Sequence, residues 1–439
     1  MLVQTYIQGD TGVKIAASVE QALSAGRALT GDSLPPVRAL AGALRVSPAT
    51  VAAAYRLLRD RGVVIADGRR GTRIRDTTPI STASHALPDN VRDLATGNPD
   101  PRFLPRLDLI LARLKPGQRL YGGALNDAGL LDVARAQFDA DGVPVKDVAV
   151  MSGALDGIER VLREHLRPGD RVIVEDPCFT GIADLLASLA LTPVAVSIDD
   201  EGFRADHLRR ALARPAAALI VTPRAQNPTG AAISQRRARQ LRSLITQHPD
   251  LLVIEDDHAG AVAGVEYNTL VARSHQRWAV VRSVSKSLGP DLRVALIAAD
   301  PLTISRIEGR QTLGIRWVSH ILQRVVAALM KDRRTTGALR RAAGTYSLRR
   351  EALLRELARH GIEAHGASGL NVWISVPEES SVVGGLLDRG WAVNAGVRYR
   401  IATPPAIRVT TAALEPADSR RFASDLAGLL VPRRRSSVA

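Results

Sequence analysis

Arg282-Ser283-Val284-Ser285-Lys286-Ser287-Leu288-Gly289-Pro290-Asp291-Leu292-Arg293 follows an apolar run that begins at Trp278. An apolar, β-branched run closed by turn-forming residues reads as a buried strand leading into a loop. Small hydroxyls flank the amine of Lys286, and an arginine comes seven residues later. Most lysines are solvated surface charges, but this chain has only Lys14, Lys115, Lys146, Lys286 and Lys331, and arginine dominates its basic residues. A lysine behind a buried strand in so lysine-poor a chain marks a site. Working outward, strand-like runs at 147–151, 171–175, 192–197, 217–222, 251–255, 278–282 and 295–298 alternate with helical stretches such as 156–166 and 235–246. Such alternation predicts a mainly parallel α/β sheet.

Four more features belong with Lys286. Ser152-Gly153-Ala154 follows one strand and opens a helix, where free backbone amides suit a phosphate. Glu255, Asp256 and Asp257 close another strand, at the end where open α/β sheets bind ligands. Asn227-Pro228-Thr229-Gly230 forms a turn, and Phe179 supplies an aromatic face. Taken singly, each has a plain structural reading: a helix start, a loop start, an ordinary turn, a core side chain. Together they meet the demands of pyridoxal 5'-phosphate (PLP): a lysine for the Schiff base, a carboxylate for the pyridinium nitrogen, and a phosphate cradle of hydroxyls, amides and a cation.

A chain of 439 residues is long enough for two or three domains. Its 46% apolar and 23% charged residues are those of a globular protein, and no apolar run reaches the length of a membrane span. Residues 1–10 lack the pattern of a signal peptide, and the single cysteine, Cys178, fits a reducing compartment, so the cytoplasm is expected. The net charge of +15 favours a polyanionic partner, and residues 1–75 hold eleven basic side chains against five acidic ones. In that segment Ile15, Val19 and Leu23 recur at helical spacing, and a second helix follows Pro35-Pro36. Ser47 caps a third helix with Pro48 at its first position, and residues 63–65 and 72–74 pair across Gly68-Arg69-Arg70-Gly71. This is a helix-turn-helix with a basic-tipped wing. Ser47 and Thr50 at the start of the recognition helix suit base edges, and Arg45 and Arg56 suit phosphates. Residues 76–92 read as a linker.

The N-terminal segment resembles the GntR family through Leu34-Pro35-Pro36-Val37-Arg38, Val46-Ser47-Pro48-Ala49-Thr50-Val51, Ala54-Tyr55 and Gly68-Arg69-Arg70-Gly71-Thr72. The resemblance implies that Arg38, Arg45, Ser47, Thr50, Tyr55, Arg69 and Gly71 face double-stranded DNA, with Tyr55 equally open to a core role. Residues 93–433 resemble fold-type I aminotransferases, which implies a large, mostly parallel sheet domain plus a smaller α+β domain. On that resemblance Lys286 carries PLP, Asp256 pairs with the ring nitrogen, Asn227 and His258 meet the ring 3'-oxygen, and Phe179 stacks on the ring. Ser152, Gly153, Ala154, Ser283, Ser285 and Arg293 hold the phosphate. Tyr121 reaches the phosphate of a second subunit, and Arg408 takes the carboxylate of an amino compound. A GntR-like winged helix at 1–75 joined to this domain is the arrangement of the MocR family. The phrases Glu175-Asp176-Pro177-Cys178-Phe179, 222–230 and Asp256-Asp257-His258 look most like its PtsJ-type branch, which is associated with vitamin B6 salvage.

Some positions depart from the pattern. His258 stands where a tyrosine is usual; a neutral imidazole would donate one hydrogen bond to the 3'-oxygen but titrates differently. Little or no transamination is therefore expected. Leu155, Val294-Ala295 and a short 122–143 segment would reshape the pocket. Two readings remain: a homodimeric regulator whose DNA binding responds to PLP or an amino compound reacting with it, and a metabolic aminotransferase with an accessory DNA-binding domain. A DNA-bound scaffold with an empty site is a third.

Overall fold

The computed structural model describes residues 6–25, 27–29, 31–60, 63–66, 71–74, 87–88, 90–115 and 117–430. The chain forms two compact units, one of Met1–Ala86 with Arg167–Asp170 and Asp184–Thr192, the other of Leu87–Leu166, Arg171–Ala183 and Pro193–Ala439.

The N-terminal head contains helices α1 (Gly12–Ser24), α2 (Val37–Leu44) and α3 (Pro48–Asp60) and strands β1 (Val64–Ala66) and β2 (Thr72–Ile74). Local chemistry sets the boundaries. Thr11 caps α1 by accepting from the Lys14 amide, and Arg45 ends α2 in a left-handed conformation at φ 54°. Ser47 Oγ accepts from the Thr50 amide at 3.1 Å to start α3. Apolar stripes then meet in one core, where Ile15, Val19, Leu40, Val51 and Leu58 are fully buried. β1 and β2 pair antiparallel with Val64 opposite Ile74, and the Arg73 guanidinium ties the hairpin to the Gly31 carbonyl at 2.7 and 2.9 Å. The expected helix-turn-helix and hairpin are present; the wing tip, with Arg69, lies outside the described residues.

Tyr55 settles into the core rather than toward DNA. It is 3% exposed, and its hydroxyl donates to the Pro35 carbonyl at 2.6 Å. A tyrosine suits both roles because its ring is apolar and its tip polar; here the tip fixes the turn before α2.

The second unit is built on an eight-stranded sheet. Its spatial order is Asp147–Met151, Ala295–Ala299, Trp278–Ser283, Leu252–Asp257, Ala218–Val221, Arg171–Asp176, Thr192–Asp199, Gly202–Phe203. The four strands from Trp278–Ser283 to Arg171–Asp176 are mutually parallel, whereas Ala295–Ala299 is antiparallel to both its neighbours. The sheet is mixed around a parallel centre, and its central strands are buried along their whole length, as strands covered on both faces are. A smaller antiparallel sheet orders Ala364–His365, Asn371–Ser375, Ala406–Thr410 and Asn394–Ala395. With the 27-residue helix Arg333–Arg359 it encloses its own core of Leu353, Val372, Ile374, Trp391 and Phe422. The ends of Leu252–Asp257 and Trp278–Ser283 lie side by side, which brings Asp256 and the turn bearing Lys286 to the carboxyl end of the sheet's central strands. Among the described residues no helix is long and apolar enough to cross a membrane.

Candidate functional site

A cavity of about 250 Å³ in the second unit is lined by Ala154, Phe179, Asn227, Asp256, His258, Ser283, Ser285, Lys286, Arg293 and Arg408. Ten positions scattered over some 250 residues of sequence thus converge on one cleft. At its centre Lys286 Nζ donates to the Gly97 carbonyl at 2.6 Å. Burial, with the nearby charge of Arg408 second, lowers its pKa to about 8, so a far larger share of the amine is free at neutral pH than for a solvated lysine.

Asp256 is 4% exposed, and its Oδ1 is buried with no hydrogen-bond partner among the described residues. Burial, then the charge of Asp257, pushes its pKa up to about 7. A carboxylate oxygen left bare in a cleft calls for a donor from a ligand. Asn227 has a fixed orientation. Its Oδ1 accepts from Arg408 Nη1 at 3.2 Å and from Asn371 Nδ2 at 3.4 Å, which leaves the Asn227 amide nitrogen as a donor.

His258 departs from expectation. Burial, reinforced by the charge of Lys286, drives its pKa down to about 4, so it is neutral at physiological pH. Nε2 lies 2.8 Å from the Ala225 carbonyl, which can only accept, so the single ring hydrogen resides there. Nδ1 keeps a lone pair and nothing to donate. The hydrogen bond foreseen from His258 to a ring 3'-oxygen is thereby unavailable.

Arg408 is 4% exposed. Its Nη2 donates to the Ala95 carbonyl, its guanidinium lies 5.1 Å from the Tyr399 ring centroid, and its buried Nε has no hydrogen-bond partner among the described residues. Among the described residues no carboxylate forms an ion pair with it, and the charge of Asp93 acts on it only from a greater distance. A buried, unneutralised guanidinium is costly unless it receives an anion, which fits a carboxylate ligand.

At the other end Arg293, left-handed at φ 47°, places Nη2 3.3 Å from the Ser152 carbonyl. Gly153 has φ 109°, which favours glycine, and a Cβ there would fall 2.4 Å from Arg293 Nη2 and displace the cation. The helix Ala154–His165 starts at this point, with its first amides unpaired within the helix. Ser152 is not on the cavity wall: its amide donates to Asp156 Oδ2 at 3.0 Å, and its contribution runs through Arg293.

Tyr121 does not join the cleft. It is 78% exposed, against Trp317 and under the Arg316 guanidinium. Conversely, Thr96, Gly97, Ala225, Leu370 and Asn371 line the cavity without having been singled out from sequence. Thr96-Gly97-Asn98-Pro99 carries a turn signal that marks the first two; Ala225, Leu370 and Asn371 carry none.

The model of aminotransferase class I and II matches residues 136–426, and that of bacterial regulatory proteins of the gntR family matches residues 11–74. Over 424 residues, 96% of this chain and 98% of the relative, it is 38% identical to the vitamin B6 salvage pathway transcriptional repressor PtsJ of Salmonella typhimurium. The chain belongs to the MocR family. It is also 25% identical to the HTH-type transcriptional regulator TauR of Rhodobacter capsulatus, over 84% of this chain and 85% of that one. The fold matches kynurenine aminotransferase of Pyrococcus horikoshii with a TM-score of 0.69 at 19% identity, covering 78% of this chain and 91% of that one. As a MocR transcription regulator the chain combines a GntR-type DNA-binding head with an aminotransferase-fold domain, and its cofactor is PLP. The residues present fit that group: a bare buried carboxylate oxygen, a desolvated amine, a glycine-cleared cation and a helix N-terminus occupy one cleft.

Proposed function

We propose that this MocR regulator couples its DNA affinity to occupancy of the cleft by PLP, or by an amino compound that reacts with PLP there. When bound, PLP supplies a carbonyl carbon that accepts an amine and a ring that takes up electrons from bonds at that amine's carbon. The chain's own groups prepare for this. Lys286 offers a largely desolvated amine to hold the cofactor; Asp256 Oδ1 accepts from the ring nitrogen; the Asn227 amide donates to the 3'-oxygen. Phe179 would offer its face to the ring, while Gly153, Ala154, Ser283, Ser285 and Arg293, with Ser152 behind Arg293, would hold the phosphate. Arg408 receives the carboxylate of an amino compound. In the head, Arg38, Arg45, Ser47, Thr50 and the wing residues Arg69 and Gly71 meet DNA.

His258 supports the sensor over the enzyme: its only hydrogen is engaged by the Ala225 carbonyl, so it has none to donate to the ring 3'-oxygen at neutral pH. The full-length likeness to PtsJ supports vitamin B6 metabolism as the regulated process. Exposed Leu120, Tyr121, Leu313 and Ile315 support a homodimer in which Tyr121 completes the partner's phosphate site, and a chromosomal target implies work in the cytoplasm.

A sensor must bind its ligand differently in its two states, and a tenfold change in DNA affinity requires about 1.4 kcal/mol of such difference. The test is to titrate the protein onto DNA from its own upstream region, with and without PLP and with PLP plus candidate amines. A ligand-dependent shift without release of pyridoxamine phosphate supports the sensor. Stoichiometric release of pyridoxamine phosphate with unchanged DNA affinity supports the aminotransferase.

A further inference from the structure

Behind the cofactor face of strands Leu252–Asp257 and Trp278–Ser283 lies a closed charge network. Asp257 is fully buried. Its carboxylate accepts from Arg224 Nε and Nη2, each at 2.9 Å, from Arg282 Nε at 2.6 Å, and from the Gly260 amide at 3.2 Å. Arg282 Nη2 continues to Asp141 at 2.6 Å and Arg224 Nη1 to the Val265 carbonyl at 3.3 Å. The Tyr267 ring sits 5.0 Å and 5.3 Å from the two guanidinium centres. Burial alone would raise the Asp257 pKa, but the charges and hydrogen bonds of the two arginines outweigh it and hold the carboxyl well below the usual carboxylate range.

Such a cluster is poor evidence for stability, because desolvating its members offsets most of their attraction and apolar side chains of similar volume serve as well. Its location is more informative. Its three central members, Asp257, Arg224 and Arg282, are each chain neighbours of a group facing the cleft. Asp257 stands between Asp256 and His258. Arg224 precedes Ala225, whose carbonyl holds His258, and the loop runs on to Asn227. Arg282 precedes Ser283 and the turn bearing Lys286. Alternation along a strand sends Asp257 and Arg282 to the sheet face opposite Asp256 and Ser283.

We propose that Asp257, gripped by Arg224 and Arg282, is a positioning residue that sets the mutual placement of the three segments carrying Asp256, Asn227 and Lys286. It does not line the cavity and acts through those three. The two-point grip of Arg224 fixes both distance and angle, which a lysine's single ammonium does not. This inference rests on the reading of the cleft as a PLP site.

The test compares the full-length protein with Arg224→Lys, Arg282→Lys and Asp257→Asn for melting temperature, PLP dissociation constant and the pH midpoint of the visible band of bound PLP. Arg224→Lys keeps the charge and loses the two-point grip. It is expected to melt close to wild type, to bind PLP roughly tenfold or more weakly because sub-ångström misplacement is felt strongly at a preorganised site, and to shift the pH midpoint. A variant that melts lower yet keeps the wild-type dissociation constant and midpoint overturns the proposal, since the network is then only structural. If Asp257→Asn fails to fold, the two lysine variants decide. A wild type that forms no visible band with PLP overturns the reading of the cleft itself, an outcome distinct from a wild-type band that the variants leave unchanged.

Discussion

The cofactor cleft and the outward face of the head handle charge in opposite ways. In the cleft, Asp256, Arg408 and Lys286 are withdrawn from solvent, and each is oriented by a specific contact or a specific lack of one. In the head, Arg38 and Arg45 are exposed and form no ion pair among the described residues, while Ser47 and Thr50 satisfy each other at 2.8 Å. A buried polar group that loses its partner costs about 1–3 kcal/mol, whereas an exposed ion pair contributes about 0–1 kcal/mol. Cleft function should therefore hinge on single residues, and DNA affinity should accumulate from many small contacts.

The sharpest test of that contrast is Lys286→Ala. We predict that it abolishes the visible band of bound PLP and that borohydride reduction leaves no cofactor on the chain, while the head still binds nonspecific DNA. Lys286 is the sole amine among the cavity residues, so a persistent band would show that the cleft, too, shares its work among several groups.

Next in size is Leu58→Ala, in the small core of the head. Leu58 is fully buried, and truncating such a leucine costs about 2–5 kcal/mol, a large share of what a domain of this size has. DNA binding should disappear and the head should unfold at a lower temperature, with the PLP band retained. Loss of both activities together would show that the two units do not unfold independently.

How much of this was legible beforehand differs between the regions for physical reasons. The head is written in local chemistry: Ser47 before Pro48 and the hairpin spacing act over a few residues, so its helices and hairpin could be read directly. Tyr55 was ambiguous, because the same amphipathic side chain serves a core or a phosphate and only the Pro35 carbonyl decides. In the cleft, Lys286, Asp256 and Asn227 were legible because they end strands or form turns. Gly97 was not: its carbonyl meets Lys286 from 189 residues away. Nothing in the sequence singles out Arg224 and Arg282 in a chain full of arginine, and their pairing on Asp257 appears only once the strands are side by side. The lone hydrogen of His258 is likewise a tertiary fact, set by Ala225.

A smaller effect follows from the lowered pKa of Lys286. Only the free amine reacts with a carbonyl, so PLP uptake should rise as pH rises through about 8 and then level off. Between pH 7 and 8 the free fraction grows from about one-tenth to one-half, roughly a fivefold gain in rate. For an amine at the ordinary value of 10.5 the rise would continue through pH 9 without levelling. Stopped-flow absorbance across that range distinguishes the two, and an unbroken rise would mean that the cleft does not desolvate Lys286.

The smallest effects belong to the head and test the additive side of the contrast. Arg38→Ala should weaken DNA binding only a few-fold and reduce the slope of log affinity against log salt by about 1, the signature of one lost phosphate contact. Tyr55→Phe removes no charge. It leaves the Pro35 carbonyl without its donor, so it should lower head stability by about 1 kcal/mol and leave the salt slope unchanged. Fluorescence anisotropy at several salt concentrations, paired with thermal melts, separates the two outcomes. If Tyr55→Phe instead flattened the salt slope while sparing stability, the hydroxyl would reach DNA in the complex, and the division between inward and outward groups in the head would have to be redrawn.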